Sequence, residues 1–347
     1  MIYGATGYTG KLIVAEALKR GLKPVLAGRN ETKLAELAKD TQFEHRTFDL
    51  SKRVDIAEQL NDIEVVLHCA GPFSETAKPM MAACLHSQTH YLDITGEIDV
   101  FQHAKQLDKS AKNAGIVICT GVGFDVIPTD CLAASLKAQM PDATSLWLGF
   151  SSRSGLSPGT AKTSVEALAK GGKIRREGKI ITVPLAYKVR QIDFGDGVRN
   201  ATTIPWGDVA TAFYSTGIPN IEVYIPMSPG KVKQLKRMDR LRGVFEWKWV
   251  QRFLKKKVEA TVIGPDETKR LQSSTYVWGE VVNSLGEVKT GRLITANGYD
   301  LTVTGSLGIV EYLLNEEHCF SGFQTASSLM GANYVCTLPG SNEITFS

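Results

Sequence analysis

The stretch Tyr3-Gly4-Ala5-Thr6-Gly7-Tyr8-Thr9-Gly10, set between a short apolar start and a helical pattern from Lys11, constrains this chain more than any other. At a strand–turn–helix junction one glycine allows the tight turn, another lets the backbone approach a ligand, and a third lets the helix pack on the strand. The helix then offers its first N–H groups and the positive end of its dipole to a phosphate. The spacing is GxxGxxG, one residue longer in its first half than GxGxxG. This reading marks Gly4, Thr6, Gly7, Tyr8, Thr9 and Gly10 as contacts of a dinucleotide pyrophosphate; three turn glycines without a ligand are the competing reading.

The pattern after the motif gives it context. Apolar strand-like runs at 23–27, 64–70, 90–95 and 116–120 alternate with helical patterns at 11–20, 31–40, 76–87 and 98–114. Such alternation predicts a parallel sheet covered by helices on both faces, the Rossmann doubly wound α/β fold. The 347 residues exceed one ordinary domain. From Val126 the pattern changes to a helix over 126–140, a strand over 144–151, a helix near 160–169 and extended stretches at 180–189, 210–214 and 221–225. Strands at 275–283 and 287–296 read as a hairpin turning at Leu285-Gly286. The expected organisation is a Rossmann domain over 1–125 and a second, α+β mixed-sheet domain over 126–300 for substrate or dimerisation. Residues 301–347, with helical patterns at 301–314 and 325–331, are expected to return to the Rossmann domain.

A site that prefers NAD places an acid at the tip of the second strand for the ribose 2′-OH. Here the tip is Gly28-Arg29-Asn30, and the planar fork of Arg29 suits a 2′-phosphate. The cofactor expected is therefore NADP (NADPH), with Arg29 and Asn30 beside it. Asp49 is a candidate for the adenine edge. Cys69, Ala70, Gly71 and Pro72 end the fourth strand, where the switch-point crevice would take the nicotinamide half.

For proton transfer, Tyr91 and Asp93 are the catalytic candidates, Tyr91 on condition that its phenol faces the crevice. Their alternate spacing with Thr95 fits a structural strand face equally well. Glu97 reads as the cap of the helix from Ile98, and Asp125 as the N-cap of the helix containing Pro128. Thr95, Glu97, Asp125, Thr129 and Asp130 are further candidates near the strand ends, and Ser157-Pro158-Gly159-Thr160 reads as a helix start able to hold an anion. The six cysteines include no CxxC pair, and no metal site is expected.

The strings YGATGYTG, AGR, CAGPF, HYLDITGE, GFDVIPTD and SPGT occur in order, and together they resemble the saccharopine dehydrogenase-like oxidoreductase family. That family is similar to saccharopine reductases and includes trans-acting enoyl reductases of lipid biosynthesis. The resemblance runs from Tyr3 to Ala161, with weaker matches at Gly298-Tyr299, Gly322-Phe323 and 325–331. It implies an NADP-binding Rossmann domain, a mixed-sheet second domain and a C-terminal return. Only Met1-Ile2-Tyr3 precede the first glycine where the family carries a longer strand, so a truncated or misassigned start is expected.

Residues 231–257 hold eleven Lys or Arg against Asp239 and Glu246, with Leu235, Met238, Leu241, Phe245, Trp249 and Phe253 at helical spacing. A basic amphipathic helix of this kind suits peripheral contact with an anionic membrane or an acyl carrier; a solvated basic face is the alternative. Gly243 weakens the case for one continuous helix. With a net charge of +4, no apolar run of spanning length and no signal sequence, the chain reads as cytoplasmic, with no nucleic-acid partner and a homodimer open. The function expected is NADP-dependent reduction of a C=C or C=O/C=N bond in a small-molecule or lipid-linked substrate. The alternatives are a saccharopine-type amino-acid oxidoreductase, with Arg153, Arg175, Arg176, Arg190 and Arg199 to hold its carboxylates, and a non-catalytic NADP-binding redox sensor.

Overall fold

A computed structural model describes residues 1–51, 56–152, 155, 159, 161, 165, 168–245, 247–262, 264–315 and 319–347. Arg153, Ser157, Pro158, Thr160 and Glu246, and with them most of the helix expected near 160–169, lie outside the described residues. The chain divides into two compact units, Met1–Ile127 with Tyr299–Met330 and Pro128–Gly298 with Gly331–Ser347.

The first unit alternates strand and helix: β1 (Ile2–Tyr3), α1 (Tyr8–Lys19), β2 (Leu26–Gly28), α2 (Glu31–Thr41), β3 (His45–Thr47), β4 (Val65–His68), α3 (Phe73–Ser87), β5 (His90–Asp93), α4 (Ile98–Gln106), α5 (Asp108–Ala114) and β6 (Val117–Cys119). Its seven-stranded sheet runs Gly322–Gln324, β6, β5, β4, β1, β2, β3, and every neighbouring pair is parallel. β2, β4 and β6 are buried at every residue, as apolar strands covered on both faces must be. The strand order reverses between β1 and β4, which puts a crevice at the carboxyl ends of those two strands. The helix expected over 98–114 is two helices, because Asp108 starts a new one. Its carboxylate accepts from Lys112 at 2.9 Å and from the Phe323 N–H at 2.9 Å, tying α5 to the last strand.

The second unit begins with α6 (Ile127–Gln139), β7 (Ser145–Ser152), β8 (Gly172–Arg176), β9 (Lys179–Val183), β10 (Val189–Asp193), β11 (Val198–Ile204), α7 (Asp208–Thr216) and β12 (Asn220–Pro226). It continues with α8 (Pro229–Asp239), α9 (Arg242–Phe245), α10 (Lys248–Thr261), α11 (Glu267–Leu271), β13 (Ser274–Val282) and β14 (Val288–Ala296). The nine-stranded sheet runs β10, β11, β12, β7, β13, β14, Thr345–Phe346, with β8 on β12 and β9 on β8. β12 and β7 are parallel while β13 is antiparallel to both β7 and β14, so the sheet is mixed. Gly279 and Gly291 stand opposite each other on β13 and β14, and a Cβ on either would lie 2.7–2.8 Å from Leu136 or Leu132 of α6. Their bareness lets α6 lie flat on the hairpin.

Three expectations need correction here. Residues 210–214 are helical, not extended: the polar stripe Asp208, Thr211 and Ser215 is turned inward, with Asp208 and Ser215 bonded to α6, so α7 lacks the polar-out, apolar-in period that marks a surface helix. The basic segment is three helices rather than one, α8, α9 and α10; Gly243 lies inside the short middle helix, not at a break. The tail also divides, Tyr299–Met330 belonging to the first unit and Gly331–Ser347 to the second.

Candidate cofactor and active site

The three glycines occupy three different positions in the first β–α turn. Gly4 follows β1 at φ +87, donates its N–H to Ala27 O at 2.8 Å, and would carry a Cβ only 2.8 Å from Ala70 N. Gly7 is the exposed N-cap of α1 and donates to Gly4 O at 3.0 Å. A Cβ on Gly10 would overlap the Gly4 carbonyl oxygen and stand 3.0 Å from Ala5 Cα, so α1 is pressed onto the turn. No side chain caps α1 and its first turn holds no acid, which keeps the positive helix end for an external anion. Thr6, Tyr8 and Thr9 are part-exposed around it. These residues fit a dinucleotide pyrophosphate.

Beside the turn, β2 ends at Gly28 and Arg29 is exposed. Asn30 caps α2, its Oδ1 accepting the Lys33 N–H at 3.0 Å. Asp49, just beyond β3, accepts from both the N–H and the hydroxyl of Ser51 at 2.9 and 2.8 Å. Tyr3 donates its phenol proton to Phe48 O at 3.0 Å, and burial pushes that phenol up to about 12.

The turn after β4 is held from two sides. Cys69 N–H donates to Tyr3 O at 2.7 Å, Ala70 packs on Gly4, and the Gly71–Pro72 peptide is cis. Thr76 Oγ1 donates to Ala70 O at 2.7 Å, so His68 Nε2, 3.0 Å from that hydroxyl, carries the ring hydrogen. His68 is fully buried and burial drives it down to about 3; its Nδ1 has no hydrogen-bond partner among the described residues. Glu97 corrects its expected role. Its carboxylate caps α3 instead of α4, accepting from Phe73 N–H at 2.9 Å and Ser74 N–H at 2.8 Å. The anion therefore sits on the dipole of the helix that starts at the crevice.

The burial of Tyr91 corrects its expected role as a proton donor. Both Tyr91 and Asp93 are fully buried, and the phenol donates to Asp93 Oδ2 at 2.8 Å. Asp93 Oδ1 accepts from Thr95 N–H at 3.1 Å and Gly121 N–H at 2.9 Å, joining the turns after β5 and β6. Desolvation raises Asp93 to about 7 even so, with the two backbone donors and then Tyr91 opposing it, and it holds Tyr91 well above its usual range. The pair ties strand ends together and is closed off from solvent.

Asp125 differs from its expected role as well. It caps no helix among the described residues; its Oδ2 lies 2.7 Å from where a Cβ of Gly96 would stand, so that glycine leaves it room. The side chain is half-buried and desolvation raises it to about 7. Next to it the Phe124 N–H donates to Thr302 Oγ1 at 2.9 Å, and Tyr299 meets Tyr8 edge-on at 5.1 Å. The hydroxyl of Thr120, buried at the end of β6, has no partner among the described residues. His68, Thr302 and Tyr299 were not foreseen as site residues. Their only visible signal was position: His68 ends an apolar run, and Tyr299 follows a glycine.

Other candidates lie elsewhere. Thr129 and Asp130 on α6 hold α7, through Asp208 Oδ2 at 2.9 Å and through the Ser215 hydroxyl. The described arginines of the expected set each have a partner of their own within the second unit. Arg175 stacks on Phe213 at 4.1 Å, Arg190 pairs with Glu280 at 3.0 Å, Arg176 donates to the Tyr187 hydroxyl at 3.2 Å, and Arg199 pairs with Asp196. No group of three or more His, Cys, Asp or Glu among the described residues is placed to hold a metal ion.

Residues 1–119 match the saccharopine dehydrogenase NADP-binding domain. NADP is thus the cofactor of the domain type found in the first unit. Among curated relatives, a probable mitochondrial saccharopine dehydrogenase-like oxidoreductase of Arabidopsis thaliana is 31% identical over 147 residues, covering 38% of this chain and 32% of the relative. A trans-acting enoyl reductase of Mycobacterium tuberculosis is 28% identical over 199 residues, covering 53% of this chain and 48% of the relative. The chain thus spans about a third to a half of the length of these relatives. The saccharopine dehydrogenase (L-Glu forming) of Saccharomyces cerevisiae shares the fold, with TM-score 0.68 over 100% of this chain and 99% of that one at 11% identity. The chain is similar to saccharopine dehydrogenase-like oxidoreductases over its cofactor-binding half, and to saccharopine dehydrogenase in fold throughout.

Proposed function

We propose that this chain is an NADPH-dependent reductase of a C=C or C=O/C=N bond in a small-molecule or lipid-linked substrate. The observation that carries the reading is the uncapped, glycine-lined start of α1 beside an exposed Arg29, with no acid at the tip of β2. Arg29 holds the 2′-phosphate by its planar fork, and the amides of Gly7 to Gly10 hold the pyrophosphate. Bound there, NADPH supplies the hydride. Asp125, whose carboxyl burial raises to about 7 beside Gly96, retains its proton closer to neutral pH than an ordinary carboxyl and donates the proton that completes the reduction. The likeness to enoyl reductases supports a conjugated C=C substrate, and the internal partners of Arg175 and Arg190 speak against a multiply anionic amino acid. A redox sensor that holds NADPH without turnover is the second reading, favoured by the burial of Tyr91 and Asp93.

Titration with NADPH and NADH, beside an Arg29→Ala variant, tests the cofactor half. NADPH affinity falls at least tenfold in the variant while NADH is unaffected, tenfold being about 1.4 kcal/mol; equal loss for both refutes the role of Arg29. NADPH oxidation against enoyl-thioesters and aldehydes tests the rest. Asp125→Asn lowers kcat and removes the alkaline fall of the pH profile; turnover unchanged in that variant excludes Asp125, and no turnover with bound NADPH favours the sensor.

A further inference from the structure

We propose that the outer face of α10 docks on an anionic phospholipid bilayer, with Trp247, Trp249 and Phe253 seated at headgroup level and Arg252 and Lys256 on the lipid phosphates. The inference stands apart from the reductase reading and needs no cofactor.

Trp249, Arg252, Phe253 and Lys256 recur at helical spacing and share one face of α10. Trp247, Trp249 and Phe253 keep 54%, 65% and 64% of their surface in water, and the two indoles meet at 6.0 Å. The opposite face is the one that packs. Val250, Gln251, Leu254 and Val258 are part-buried there, and Gln251 Nε2 donates to Phe245 O at 2.7 Å. Leu241 and Val244, just before α10, are exposed as well. Large exposed apolar groups gathered in so short a stretch mark an interaction surface.

Charge selects the occupant. Residues 231–257 carry eleven Lys or Arg against two acids, and the carboxylate of one, Asp239, is engaged by the Leu185 N–H at 3.1 Å. Neither Arg252 nor Lys256 forms an ion pair among the described residues. A second copy of this face would set cations against cations. An acidic protein would have to set pockets for three aromatic rings among its carboxylates, a combination a bilayer supplies without being shaped for it. A bilayer bearing anionic lipid takes both: indole and phenyl rings settle at the interface, while Lys and Arg stems reach the phosphates. The helix of 14 residues is too short to span, and among the described residues no helix is long and apolar enough to cross a membrane. α10 therefore lies in the plane of the interface.

The test is sedimentation of the whole chain with phosphatidylcholine vesicles, with and without phosphatidylserine, read together with tryptophan emission. Binding is expected only when phosphatidylserine is present, with a blue shift of emission and weakening in high salt. Each basic residue near such a surface contributes a factor of about five to partitioning, so Arg252→Glu/Lys256→Glu lowers it at least about 25-fold. Trp249→Ser/Phe253→Ser lowers it about tenfold or more and abolishes most of the blue shift. All four side chains lie on a solvent-facing helix face, so an unchanged circular dichroism spectrum checks that the variants fold. No sedimentation at low salt, or equal sedimentation of both variants and the parent, overturns the proposal. So does a dimer that Trp249→Ser/Phe253→Ser dissociates.

Discussion

Replacing Asp93 by Asn tests how the strand ends of the first unit are joined. The amide preserves the geometry: its oxygen accepts from Gly121 and Thr95 N–H, as Asp93 Oδ1 does, and its nitrogen donates to the Tyr91 oxygen, reversing one bond. What changes is titration. Desolvation raises Asp93 from 3.8 to about 7, a gap worth roughly 4 kcal/mol between the protonated and ionised forms. A folded-state value above the unfolded one means that the stability from this group is complete below about pH 3.8 and lost as pH rises through 7. Between pH 5 and pH 8 the parent chain should lose roughly 2–3 kcal/mol that Asp93→Asn does not lose. Asp125 titrates over the same window but is present in both proteins and cancels in the difference. Urea unfolding at the two pH values, followed by far-ultraviolet circular dichroism, gives the number. Tryptophan fluorescence serves as the control, because all five tryptophans lie in the second unit. If the parent instead gains on the variant as pH rises, the three donors outweigh desolvation and the carboxylate is ionised throughout.

Other substitutions probe separate parts of the same argument. Glu97→Gln loses one of two charge-assisted bonds to the start of α3 and should cost about 2–3 kcal/mol in a denaturant titration; a loss under about 0.5 kcal/mol would mean that the cap is solvated. Gly10→Ala forces a methyl into the Gly4 carbonyl and should destabilise by about 1–3 kcal/mol while weakening NADPH binding in an isothermal titration. Unaltered binding would remove the turn from the site. Arg175 donates to Val209 O at 2.8 Å and Gly178 O at 2.6 Å beneath its stacked ring, so Arg175→Lys should lower the unfolding free energy by about 2 kcal/mol or more, a loss that equivalence of the two cations would not produce.

What was legible in the sequence follows from the range of the interactions involved. The glycine turn is local: Gly4, Gly7 and Gly10 do their work within ten residues, and a pattern can display it. Strand alternation showed that Tyr91 and Asp93 share a face but not that this face turns inward, because the burial of β5 depends on β4 and β6 on either side. Glu97 was recognised as a cap and matched to the wrong helix, since the amides it serves lie 23 and 24 residues earlier in the chain. The Thr302 hydroxyl that receives Phe124 is 178 residues away, beyond any window. The period of α7 was hidden because its polar residues Asp208 and Ser215 face α6 instead of water, whereas the β13–β14 hairpin, polar on one face, was readable.

The way the first unit is pieced together has a consequence for its synthesis. The edge of β6 is covered by Gly322–Gln324, roughly 200 residues further along the chain, with Pro128–Gly298, the main part of the second unit, made in between. At about 5–20 residues per second a ribosome takes roughly 10–40 s to deliver that strand. Throughout this interval Val117, Ile118 and Cys119 present unpaired backbone groups on a fully apolar edge, the kind of edge that recruits strands from other nascent chains. A fragment ending anywhere before Gly322 keeps that edge open permanently, so constraints on how fast and how completely this chain is translated are built into its strand order.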